Sequence, residues 1–278
     1  MTISAIHSTS SSAKQLSAID FSTPYELDKL LQKQINEQSS RRQLHAYLVD
    51  YVEQQYNHAQ VLVAKGTISQ QQLDSHKLKH TPSRAYLDNF ANGQPICFRY
   101  TNTIANALDT EYYLTNFDPA EELLKTVNDK TSPTDYLAEE LCDDMKTTAY
   151  SKRVSPHELD NILRHETRAY ANAFSFRKLE MDMKDFVIGR YKRLKSVLLK
   201  KGVSENDITR QVNLYTLSAS QIRNYSEGAD VCYRYINTLA NFHDYTYCLC
   251  NFNPYEELLN VLGIREETTG TFTSDYSN

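Results

Sequence analysis

The chain has 278 residues, 40% of them hydrophobic and 23% charged, with a net charge of −5. That is enough apolar content for a core, and it is too regularly patterned for wholesale disorder. Only seven residues are glycine, far below the usual share of roughly 7%, which argues against a glycine-rich phosphate cradle and a turn-dense all-β fold. No apolar run approaches the roughly 18 residues that span a bilayer, and the N-terminus lacks the basic and apolar regions of a secretory signal. Five cysteines in a chain this long predict free thiols in a cytoplasmic protein without a disulfide framework.

Residues 1–21 are rich in Ser, Thr and Ala, carry little charge and read as a flexible N-terminal segment. In composition the segment resembles the N-terminal export segments of bacterial type III effectors, which implies export as an effector. A helix is predicted from Pro24, with Ser22 or Thr23 as cap, Glu26 in the first turn and Leu27, Leu30 and Leu31 behind it. A longer helix from about Arg42 to Lys65 carries Leu44, Leu48, Val52 and Tyr56 on one stripe and stops at Gly66. A third begins at Ser69.

The stretch Cys97–Leu124 then recurs as Cys232–Leu259 at a constant offset of 135, with 17 identities in 28 positions and no gap. Weaker matches extend the repeat in both directions: Pro24, Glu26, Leu27 and Asp28 answer to Pro156, Glu158, Leu159 and Asp160, and Tyr56 answers to Tyr191. A unit of about 110 residues is a duplicated domain, not a solenoid. The chain therefore divides into repeat domain 1 (22–130), a linker (131–153), repeat domain 2 (154–265) and a flexible tail (266–278). Within each block, Cys, Phe, Tyr, Thr and Ile flank a polar Asn-x-x-Asp step, which predicts a β-hairpin. Asp118-Pro119 and Asn253-Pro254 then open a C-terminal helix. The expected fold is helix-rich α+β, each domain holding about three helices, a hairpin and a final helix; all-α is the alternative. Duplicated domains tend to keep the contact of an ancestral homodimer, so an approximate two-fold axis is expected, with homo-oligomers also open.

Polar residues kept in both copies are Arg99 and Arg234, Asn102 and Asn237, Asn106 and Asn241, and Asp109 and Asp244. An arginine fork beside amides suits a phosphate, a carboxylate or a peptide backbone, so these eight are the candidate ligand- or partner-binding set. The competing reading gives Asn and Asp to turns and caps and pairs each arginine with a glutamate of the Glu-Glu-Leu-Leu helix. No catalytic residue, metal site or cofactor is expected. Cys97 and Cys232 lack a recurring histidine base, Cys248, Cys250 and His243 fall short of four zinc ligands, and the other histidines form no motif.

Charge is uneven. Residues 109–144 hold eleven acids against two lysines, whereas residues 177–201 hold nine bases against three acids. The basic stretch is a candidate phosphate-contacting helix through Arg190, Lys192, Arg193 and Lys195. Twenty tyrosines and no tryptophan suit protein contact surfaces. The leading expectation is a non-enzymatic protein-binding or regulatory protein, of the kind a bacterium or phage uses as effector or inhibitor. The alternatives are nucleic-acid binding through helix 177–201, and an enzyme or ligand-binding protein using Arg99 and Arg234.

Overall fold

The computed structural model describes residues 24–128 and 154–264. The first half of the chain forms α1 (Pro24–Glu37), α2 (Arg41–Gln55), α3 (Ala59–Ala64), α4 (Gln70–His80), α5 (Arg84–Ala91), α6 (Phe98–Ala107), β1 (Tyr113–Thr115) and α7 (Pro119–Asn128). The second forms α8 (Pro156–Ala173), α9 (Phe176–Lys200), α10 (Glu205–Tyr215), α11 (Ala219–Ser226), α12 (Tyr233–Phe242), β2 (Cys248–Cys250) and α13 (Pro254–Val261). The protein is thus helix-rich with one small two-stranded antiparallel sheet. Among the described residues, no helix is long and apolar enough to cross a membrane. The segments expected at 1–21, 131–153 and 266–278, with the Ser22/Thr23 cap, lie outside the described residues.

Helix starts follow from capping chemistry. Ser69, Ser155 and Ser204 each accept a backbone N–H from three residues on, and Ser69 and Ser204 complete capping boxes with Gln72 and Asp207. Asp118 accepts from the Ala120 N–H at 2.8 Å and Asn253 from the Tyr255 N–H at 2.8 Å, each followed by proline in the first turn. Two helices absent from the sequence reading, α5 and α11, start in the same way on Ser83 and Ser218.

The expected hairpins are not formed. Phe98–Ala107 and Tyr233–Phe242 are helices, and Asp109 and Asp244, at φ of 50° and 53°, close their C-terminal ends in left-handed conformation. The aromatic and β-branched residues that suggested strands are there because these helices are buried on most sides: Phe98, Thr101, Ile104 and Ala105 are all interior. A short apolar run of this kind carries no periodicity that separates a strand from a buried helix. The helix expected from Arg42 to Lys65 is also corrected, for it ends at Gln55 and resumes at Ala59. Asn57 and His58 stand at the break, where the unbroken α9 has Lys192 and Arg193, which are better helix formers.

The strands that would have formed hairpins pair with each other. β1 and β2 run antiparallel with Leu114 opposite Leu249, residues that match in the repeated block. The helices beyond them cross over: α7 packs on α9 of the second half, and α13 packs on α2, α4 and α8. As a result Phe117, Ala120 and Leu123 share a core with Val187, Tyr191, Leu194 and Tyr215, and Leu258 shares one with Val52, Tyr56 and Leu73. A larger cluster, from Leu27 and Leu48 to Leu163 and Tyr225, draws on both halves.

Candidate functional site

The four matched asparagines meet at the crossing of the two halves. Asn102 Nδ2 and Asn106 Nδ2 donate to the Phe252 carbonyl at 2.9 and 3.0 Å, and Asn237 and Asn241 donate to the Phe117 carbonyl at 2.9 and 3.1 Å. Asn102 Oδ1 accepts from Phe252 N, and Asn237 Oδ1 accepts from Phe117 N. Asn116 and Asn251, also matched, complete the lattice: Asn116 Nδ2 donates to Asn241 Oδ1 at 2.7 Å and Asn251 Nδ2 to Asn106 Oδ1 at 2.6 Å. Four-residue spacing sets Asn102 above Asn106 on one helix face, so both reach one carbonyl. Every amide bond in one direction has its counterpart in the other.

Arg99 is buried and Arg234 mostly so, and each faces acids of the opposite half. Arg99 donates through Nε and Nη2 to Glu257 Oε1 at 3.0 and 2.7 Å, through Nη2 to Asp160 Oδ2 at 2.9 Å, and through Nη1 to Asp230. Arg234 Nη1 lies 3.0 Å from Asp28 Oδ2, with Glu122 close enough to influence it electrostatically. Glu122 Oε1 also accepts from Tyr25 N at 2.8 Å. The glutamate of the Glu-Glu-Leu-Leu helix does meet the arginine, but in the crossed pairing. Asp109 and Asp244 are exposed at their helix ends, and the arginines are paired elsewhere.

The two centres hold charge differently. Burial pushes Glu257 up, yet His80 and Arg99 together hold it well below the ordinary carboxylate range. Burial raises Glu122 to about 7 despite Arg234 nearby. Asp28 and Asp230 are also raised by burial, partly offset by Arg234 and Arg99 respectively.

Beside the Arg99 centre lies a group that the sequence reading passed over. His80 Nε2 stands 2.9 Å from Glu257 Oε2, off the line a hydrogen bond needs. His76 Nδ1 is 2.7 Å from the Tyr56 hydroxyl. Burial, then His80 beside it, lowers His76 to about 3, so its ring is neutral. The signal for this group was the four-residue spacing of two histidines on one helix; Glu257 is 177 positions further on and had no visible link to them.

The basic helix is partly spoken for. Arg193 Nη2 pairs with Asp118 at 2.7 Å and Glu121 at 3.0 Å, Arg190 lies 3.7 Å from Asp118, and Lys195 pairs with Glu205 at 2.8 Å. Between α9 and α10 runs an open groove of about 250 Å³, with Ile188, Tyr191, Ile208 and Val212 in its lining and Lys184, Lys192 and Lys195 along one wall. The cysteines Cys97, Cys232, Cys248 and Cys250 are free thiols, and burial pushes Cys97 up to about 12, which leaves it a poor nucleophile.

Comparison of the chain with protein-family models, with curated proteins and with solved structures finds no match.

Proposed function

We propose that the chain is a duplicated, two-fold-related scaffold that binds another protein through the groove between α9 and α10. The residues kept in both copies serve the scaffold: the asparagines clamp crossed backbones and the arginines neutralise crossed acids. Reciprocal bonds of this kind, with Leu114 facing Leu249, are what an ancestral homodimer joined into one chain leaves behind. The binding role then falls to features outside that shared set, and the groove between α9 and α10 is one of them.

The single observation that carries this reading is the apolar lining of Ile188, Ile208 and Val212 beside Lys184 and Lys192, with Lys195 already paired to Glu205 of the facing helix. An apolar strip edged by cations complements an acidic amphipathic segment, which buries its apolar face and sets carboxylates beside the lysines. A phosphate backbone suits it less, since Arg190 and Arg193 already face Asp118 and the chain is net acidic.

A photo-crosslinking residue placed at the exposed Thr209 in the groove, with one at Lys33 on α1 as control, tests this in cells that make the protein. Protein adducts from position 209 that carry an acidic segment and vanish in Lys184→Glu/Lys192→Glu support the reading. Adducts removed by nuclease turn it toward nucleic acid, and equal adducts from both positions reject the groove.

A further inference from the structure

We propose that His76, His80 and Glu257 bind one divalent transition-metal cation, zinc in the first instance, as a buried structural site that ties α13 to α4. One ligand atom of each residue lies within 4.8 Å of the other two, and all three residues are buried. The donor set, two imidazoles and a carboxylate, is one that zinc accepts. The four-residue spacing directs both rings from one face of α4, and α13 supplies the carboxylate from the other half of the chain.

Three features support a cation here. His80 is 0% exposed; its Nδ1 has no hydrogen-bond partner, and its Nε2 meets only Glu257 Oε2, at 2.9 Å. A buried polar atom without a partner is unfavourable, and coordination would supply a partner for one nitrogen. The Tyr56 hydroxyl at His76 Nδ1 stands where an outer partner holds a metal-bound imidazole in orientation, leaving the other nitrogen of that ring for the cation. Glu257 Oε1 accepts from Arg99 at 2.7 Å, and Oε2, which also accepts from Arg99 Nε at 3.3 Å, faces His80, so one carboxylate serves both. Around the group stand three carboxylates, Glu257, Asp160 and Asp230, balanced by Arg99, Arg164 and Lys79.

The other half supplies the control. At the positions that match His76 and His80 it has Gln211 and Tyr215, and its glutamate is Glu122. Tyr215 packs on Phe117 much as His80 packs on Phe252, with ring centroids 6.1 and 6.0 Å apart. The scaffold is therefore satisfied by an aromatic ring at this place, and two histidines are more than it asks for. Ligand atoms around tetrahedral zinc stand about 3.3–3.5 Å apart, given bonds of about 2.0–2.1 Å. A separation at the 4.8 Å limit must accordingly close by about 1.5 Å, with water as fourth ligand. Because the site is interior, the metal would enter as the chain folds and its affinity would add to stability.

The test uses the full chain, unfolded and stripped of metal with chelator, then refolded with zinc or cobalt and, as control, without metal. The expected result is about one metal per chain with a rise in Tm, falling below about a tenth of an equivalent in His80→Tyr and His76→Gln, the residues the other half uses. X-ray absorption of the zinc-loaded wild-type chain is expected to show two imidazoles and oxygen ligands, and it needs no variant to fold. Uptake of less than a tenth of an equivalent with an unmoved Tm overturns the proposal. So does metal retained in both variants, or a sulfur-containing shell.

Discussion

Arg99 and Arg234 hold matching places in the repeated block and on matching helices, and each reaches across to acids of the opposite half, yet the two settings differ in charge. Around Arg99 three carboxylates gather, and a histidine beside Glu257 helps keep that glutamate ionised. Around Arg234 the histidine's place belongs to Tyr215, and Glu122 is raised to about 7. Position in a fold does not settle the ionisation of a buried carboxylate; its immediate neighbours do, by offsetting or failing to offset the cost of leaving water.

Removing the arginines should expose this difference most strongly. Arg99→Met leaves the buried Glu257 and Asp160 and the half-buried Asp230 without their main cation and is expected to cost about 4 kcal/mol, while Arg234→Met should cost about 2 kcal/mol because Glu122 can take up a proton. Urea unfolding of both variants at pH 7 measures it, and equal losses would erase the distinction. The shared part of the design is probed by Asn102→Ala and Asn237→Ala. Each removes amide bonds to a crossed backbone segment, and each should lose about 2–3 kcal/mol; a large difference between them would break the reciprocity.

Acidity gives the next effect. The folded-state pKa of Glu122 is raised, so its stabilising contribution is complete below about 4.5 and is lost as pH rises through about 7. Glu257 is depressed, so its contribution is complete above the ordinary carboxylate range and is lost on acidification. Glu122→Gln should therefore flatten the decline in stability between pH 5 and 8, gaining about 1.5 kcal/mol over wild type at pH 8. Glu257→Gln should lose stability at that pH. Thermal unfolding across the range reads both, and a shared sign would refute the contrast. The smallest change is expected at the helix ends: Asp109→Gly or Asp244→Gly relieves a left-handed backbone and should gain about 0.5 kcal/mol by denaturant midpoint.

Local chemistry was the legible part of the sequence. Ser69, Asp118 and Asn253 all cap the helices expected of them, because a cap needs only residues two or three positions apart. Ser218 and Gln221 wrote the same message and were missed. The hairpins failed because Phe98–Ala107 owes its composition to burial by distant elements, which propensity does not register. The arginines were paired with the right kind of glutamate in the wrong copy, since nothing along a repeated sequence says that its ends are exchanged. The histidine cluster was hidden for the same reason: His76 and His80 are neighbours on a helix, but Glu257 joins them only through the crossing of α13.

That crossing has a consequence for biogenesis. The first half's core around Val52, Tyr56 and Leu73 is closed by Leu258, so about 185 further residues must leave the ribosome before it is sealed. Contacts this remote in sequence slow folding and prolong exposure of apolar surface. A ribosome stalled before α13 would hold a nascent chain with that surface open, a natural client for a chaperone.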